Sequence, residues 1–237
     1  MEIIEILGYV GALFVGLVLG LIGGGGSILT VPILVYLIGL NPIVATAYSL
    51  FVVGVTSVLG AFQNYKKGYV DIKTAIIFAI PAFIVVYLTR RFIVPKIPNV
   101  VFTGGDFEVT DSIFIMVFFA IVMLLASYSM IKGRKGLSET DVQEIKYNYP
   151  LIALEGTVIG VFAGIVGAGG GFLIIPTLVL LAKLPMKKAI GTSLCVIAVN
   201  SLFGFLGDLS NITIDWVFLL VFTGISILGI LLGMYVS

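Results

Sequence analysis

Apolar runs close to the roughly 20 residues that an α-helix needs to cross about 30 Å of hydrocarbon fill most of this 237-residue chain. Hydrophobic residues make up 60% of it and charged residues 11%, more apolar surface than one soluble core can bury, so the excess faces lipid. The chain therefore reads as an all-α polytopic membrane protein. Helical segments are predicted at 3–22, 28–40, 43–63, 72–90, 112–131, 150–167, 172–184, 188–207 and 215–236. Glu2 and Glu5 stand where a signal peptide would be basic, and its apolar stretch leads into more apolar sequence, so the first segment is expected to be retained. Segments 28–40 and 172–184 hold 13 residues each, about 20 Å of helix, and do not cross unaided.

Those two short segments occupy equivalent places in an internal repeat. A shift of 144 positions lays Gly16, Gly20, Gly23, Gly25 and Gly26 on Gly160, Gly164, Gly167, Gly169 and Gly170. The same shift lays Pro32 on Pro176, Ala45 on Ala189, Ser49 on Ser193, Ser57 on Ser201, Gly60 on Gly204 and Asp71 on Asp215. Glycine, proline, serine and aspartate agreeing in one ungapped register is not what chance matching of apolar residues produces.

Loop charge gives the halves a relative orientation, because Lys and Arg of short loops concentrate in the cytoplasm. If each Gly-rich break is a return point, the cytoplasmic loops 64–73, 132–149 and 183–188 carry Lys66, Lys67, Lys73, Lys132, Arg134, Lys135, Lys146, Lys183, Lys187 and Lys188. Only Arg90, Arg91 and Lys96 then lie outside. If each break instead joins two half-helices into one crossing, the same residues split 7 against 6. The first arrangement is favoured: two inverted repeats in a cell (inner) membrane, N-terminus outside, with Gly-broken short helices facing each other near midplane. Residues 1–131 form the first repeat plus one extra helix, 132–149 a cytoplasmic linker, and 150–237 the second repeat.

Composition excludes several functions. A net charge of +1 offers no basic surface for nucleic acid. With no histidine and Cys195 as the single cysteine, the usual zinc sites, His-based triads and intramolecular disulfides are unavailable, so no metal, cofactor or enzymatic activity is expected. Ser-Lys or paired-carboxylate catalysis would need a pair at depth, and no such pair stands out.

The stretches GLVLGLIGGGGSILTVP (16–32) and GVFAGIVGAGGGFLIIP (160–176) carry the chemistry. Each breaks a helix inside the apolar zone, and such a break leaves amide N–H groups in need of a partner at the start of the next helix. With the helix dipole, Gly24, Gly25, Gly26 and Ser27, and Gly169, Gly170 and Gly171, can cradle an anion. Gly16, Gly20, Gly160 and Gly164, spaced as GxxxG, read instead as helix packing. Ser27 serves equally as a helix cap. Ser49 with Thr46, and Thr192 with Ser193, lie one turn into the following long helices, where their hydroxyls either meet the anion or bond their own helix.

Asn200, Gln63 and Asn64 are expected to turn inward and bond between helices, and Asp71 and Asp215 to cap helices. Glu155, among apolar neighbours, is either a proton relay or a solvated group near the surface. Cys195 reads as packing.

The paired breaks, each followed by an apolar run to proline, and the segment AIGTSL at 189–194 resemble the TauE/SafE sulfite exporter family. The likeness covers nearly the whole chain, and the second copy is the closer, since the first has ATAYSL where the second has AIGTSL. It implies a membrane carrier for small sulfur-bearing anions such as sulfite, sulfoacetate or other organosulfonates. Gly23 to Ser27, Ser49, Gly167 to Gly171, Thr192 and Ser193 are the matching positions. Family members usually follow the last helix here with a counterpart of 112–131, which this chain is expected to lack. A secondary transporter, possible proton coupling included, is the leading expectation; an anion channel and a non-transporting membrane subunit or scaffold are the alternatives.

Overall fold

The computed structural model describes residues 3–23, 26–98, 100–104, 107–133, 149–180, 182 and 184–236. Within them the chain is helical almost throughout: α1 Ile3–Ile22, α2 Gly26–Pro32, α3 Pro42–Lys66, α4 Ile72–Leu88, α5 Asp111–Gly133, α6 Tyr149–Val166, α7 Gly171–Leu180, α8 Met186–Asp208 and α9 Trp216–Val236. Each coincides with a predicted segment to within about four residues except α2, which ends at Pro32 where the helix was expected to run to residue 40. α2 starts at Gly26, one residue ahead of Ser27, and passes at Pro32 into a wider π turn, Ile33–Leu37, where proline has no N–H to continue the ladder. A second π turn, Thr89–Ile93, extends α4. Two short strands, β1 Val100–Gly104 and β2 Phe107–Thr110, pair antiparallel between α4 and α5.

Among the described residues, four stretches are long and apolar enough to cross a membrane: Pro42–Lys66, Ile72–Lys96, Met186–Asp208 and Trp216–Val236. α3 and α8 are the inner pair, with most of their middle residues buried, whereas α5 and α9 expose Leu124, Leu125, Val217 and Tyr235 as lipid-facing residues do. The aspartates cap as expected: Asp71 Oδ1 accepts from the Thr74 N–H, and Asp215 Oδ1 from Val217 and Phe218.

Lipid is as apolar as leucine, so helices here associate through close packing at small residues rather than through the hydrophobic effect. A Cβ on Gly16 would strike the Ser226 backbone, and one on Gly20 would lie 2.6 Å from the Ile230 carbonyl, which sets α1 parallel to α9. Gly156, Gly160 and Gly164 seat α6 in the same way against Phe78, Ala82 and Thr89 of α4 and its extension. α3 and α8 run antiparallel, since Gly60 faces Leu194 and Gly204 faces Leu50.

These contacts occur in exchanged pairs under the 144-residue shift. Gly16 meets Ser226 and Gly160 meets Ala82, its equivalent; Gly60 meets Leu194 and Ile230, while Gly204 meets Leu50 and Val86. Polar contacts exchange too: the Asp71 N–H donates to Thr192 Oγ1 (2.9 Å) and the Asp215 N–H donates to the Tyr48 hydroxyl (2.6 Å). Tyr48 and Thr192 are equivalent positions, as are the two aspartates, so each half pins the other's interhelical turn. Two faces follow. The turns 67–71 and 184–186, the end of α5 and the start of α6 share the linker face; the starts of α1, α3, α5 and α9 share the opposite, first face.

Candidate functional site

The break between α6 and α7 is built from glycines that no other residue replaces without strain. Gly167, Gly169 and Gly170 all adopt positive φ, at 71°, 64° and 72°. Space forbids a side chain as well, because a Cβ on Gly169 would collide with Ser201 Oγ and one on Gly167 with Thr46 and the Arg90 guanidinium. Gly170 begins the next turn, its carbonyl accepting from Leu173 and Ile174, and α7 opens at Gly171. Val31 of α2 belongs to the same buried apolar cluster as Ala168 and Phe172 at the start of α7. Gly24 and Gly25 lie outside the described residues.

Around this break α3 and α8 present polar atoms that have no protein partner. The hydroxyls of Ser49, Ser57 and Ser201 and both amide atoms of Asn200 are wholly buried and unbonded among the described residues. Leaving a buried polar group unpaired costs about 1–3 kcal/mol, so a fold keeps several only where something else uses them. Thr46, Ser49, Val53 and Ser57 follow helical spacing along one face of α3, and Val53 lies beside Gly169 together with Ile197 and Ser201. Asn200 was expected to bond between helices, and no such bond forms.

Other predicted positions are drawn elsewhere. Thr192 Oγ1 accepts from the Asp71 N–H at the linker face, and Ser193 Oγ donates to the Ile190 carbonyl of its own helix, 2.8 Å away. Asn64 also bonds its own helix, at the Gly60 carbonyl. Glu155 sits on α6 about 9 Å along the axis from its start. It is partly exposed as a residue, yet neither carboxylate oxygen meets a partner among the described residues.

Sequence reasoning assigned Arg90 to an outer loop, and the structure withdraws it into the protein. Its side chain is fully buried, Nη1 lies 3.2 Å from Asp208 Oδ2 and donates to Thr46 Oγ1 at 3.1 Å, while Nε and Nη2 have no acceptor among the described residues. The π turn at Thr89–Ile93 carries the helix on past residue 90, the predicted end, with Arg91 and Lys96 the other basic residues of that stretch. One signal was available: the 144-residue shift sets Arg90 against Met234 and Asp208 against Asn64, two departures from the repeat that arise together.

A groove of about 430 Å³ is lined by Phe83, Ile84, Tyr87, Leu88, Phe203 and Leu206, an almost wholly apolar set. The polar centre, not this apolar groove, is the candidate site.

The family description "Sulfite exporter TauE/SafE" matches residues 9–237. The chain belongs to the TauE/SafE family. Among its relatives, a probable membrane transporter protein of Xylella fastidiosa (strain 9a5c) is 28% identical over 205 residues, 85% of this chain and 73% of that protein. The probable membrane transporter protein YunE of Bacillus subtilis is 30% identical over 226 residues, 88% of this chain and 79% of that one. A Methanocaldococcus jannaschii protein of the same description is 28% identical over 215 residues, covering 87% and 74%. No solved structure matches the chain. Within the TauE/SafE family, then, this member is a multi-pass helical membrane protein.

Proposed function

We propose that this TauE/SafE protein is a secondary transporter or facilitator that moves a small sulfur-containing oxyanion, such as sulfite, sulfoacetate or another organosulfonate, through the polar centre between two inverted repeats. One observation carries the reading: Ser49, Asn200 and Ser201 hold buried, unpartnered polar atoms beside a helix break whose glycines leave room only for backbone. Hydroxyl and amide donors with the positive end of α7 suit an oxyanion, and discontinuous helices in inverted halves are where transporters bind their solutes. Gly169, Gly170 and Gly171 form the cradle on this reading, with Gly24, Gly25, Gly26 and Ser27 as its counterpart. Thr192 and Ser193 support the surrounding turns.

The inversion rests on helix direction. α1 is parallel to α9 and α6 to α4, α3 opposes α8, and the exchanged contacts relate the halves by a two-fold, which together make α1 and α6 antiparallel. With the basic loops at the linker face, that face is assigned to the cytoplasm.

Binding is tested by thermal unfolding of the purified protein in sulfite, sulfoacetate, thiosulfate, sulfate and simple carboxylates. A ligand at 100 times its Kd stabilises by about 2.7 kcal/mol, so an organosulfonate or sulfite is expected to raise the midpoint while carboxylates leave it unmoved. Equal shifts with every anion, or none, would remove the substrate assignment. Glu155, with its unpartnered carboxylate in an apolar helix, is the candidate proton relay. Glu155→Gln is expected to leave binding intact and to make uptake indifferent to an imposed pH gradient; uptake that still follows the gradient would assign coupling elsewhere.

A further inference from the structure

The two faces of the molecule are built on the same backbone plan but closed differently. At the first face, Thr46, Arg90 and Asp208 form a wholly buried cluster over Gly167, with relative exposures of 0%, 0% and 2%. Their equivalents at the linker face are Ile190, Met234 and Asn64; Ile190 lies beside Gly23, where a Cβ would strike it, and all three line one cleft. Among the described residues no ion pair joins α3 to α9 there, since Asn64 and Met234 are both uncharged. Instead a cleft of about 290 Å³ opens between these residues, with Gln63, Lys67, Tyr69 and Lys187 on its walls.

We propose that this cleft is the access site for the transported oxyanion at the linker face, and that the Arg90–Asp208–Thr46 cluster is the gate that seals the first face in the same state. The proposal rests on the transport reading above. Lys67 and Lys187 give the cleft mouth positive charge and Gln63 adds an amide donor, a combination that draws in a small anion from that side and holds it weakly. At the first face the ion pair ties the extension of α4 to the end of α8, and Nη1 ties both to α3, so three helices cannot part there while it is intact. An open mouth at one face and a locked one at the other is one of the two states that rocking of inverted repeats requires. The asymmetry lies in side chains, since the glycines and helix directions are shared.

The test reads access from each face with a membrane-impermeant maleimide in a Cys195→Ala background. Gln63→Cys is expected to react from the linker face, and Ser49→Cys to resist labelling from the first face. Adding Arg90→Met with Asp208→Asn copies the other half's pair and leaves no orphan charge. In that double variant Ser49→Cys is expected to label from the first face roughly tenfold faster or more, as a shifted two-state population demands. Unchanged Ser49→Cys labelling in a double variant that remains monodisperse and helical, or a Gln63→Cys that no reagent reaches from the linker face, would overturn the proposal. Failure of the transport reading is seen separately, as absence of anion binding and flux with the labelling pattern intact.

Discussion

Arg90→Met alone is expected to cost this protein about 3–5 kcal/mol of stability, the range for removing one partner of a buried ion pair, and to lower the yield of monodisperse protein sharply. The reason is the group left behind. Asp208 is 2% exposed and has Arg90 as its ion-pair partner, so losing the guanidinium strands a carboxylate in the apolar zone. Asp208→Asn is expected to be nearly as harmful, because among the described residues the buried guanidinium then keeps only its bond to Thr46. The double replacement should recover most of the loss, since Met234 and Asn64 already fill the equivalent places in the same backbone. Thermal midpoints of the four proteins in detergent form the cycle; additive losses in the double variant would mean that the pair is not coupled and would remove the gate's physical basis.

Gly169→Val carries the largest expected effect on function. Its backbone at φ 64° lies where a β-branched residue is strained, by about 1–2 kcal/mol, and its side chain would occupy the place of the Ser201 hydroxyl. Transport is expected to fall by at least roughly a hundredfold, the equivalent of 2.7 kcal/mol in the barrier, while α3 and α8 still pack through Gly60 and Gly204. Ser201→Ala removes a donor without adding bulk and is expected to weaken anion binding by about 1 kcal/mol. Proteoliposome flux and anion titration on the two variants separate the effects. Undiminished flux in Gly169→Val would remove the break from the transport path.

Much of this architecture is legible in the chain because membrane helices obey few rules. Apolar runs locate α1 to α9, and glycines and prolines in one register announce the repeat. GxxxG positions such as Gly16 and Gly160 turn out to be contacts between helices. The site is only half legible. The break at Gly169 and the serines of α3 and α8 follow from pattern, yet which hydroxyls are spent elsewhere does not: Thr192 is held by the Asp71 N–H and Ser193 by its own helix, choices made by tertiary geometry. Arg90 escaped because loop-charge counting assigns a residue at a helix end to the loop, and a single π turn is enough to draw it inside. The hairpin of β1 and β2 escaped although Phe107 to Thr110 alternates and Gly104-Gly105-Asp106 offers a turn, because two runs of four or five residues are short beside the apolar helices that dominate the chain.

Uptake of radiolabelled sulfite and sulfoacetate into proteoliposomes bears most directly on the central claim that a small oxyanion crosses between the two halves. Saturable uptake of one of them, competed by the other anion but not by carboxylates and lost in Gly169→Val, is the expected result. Protein-independent leakage alone, with wild type and Gly169→Val indistinguishable, would contradict it.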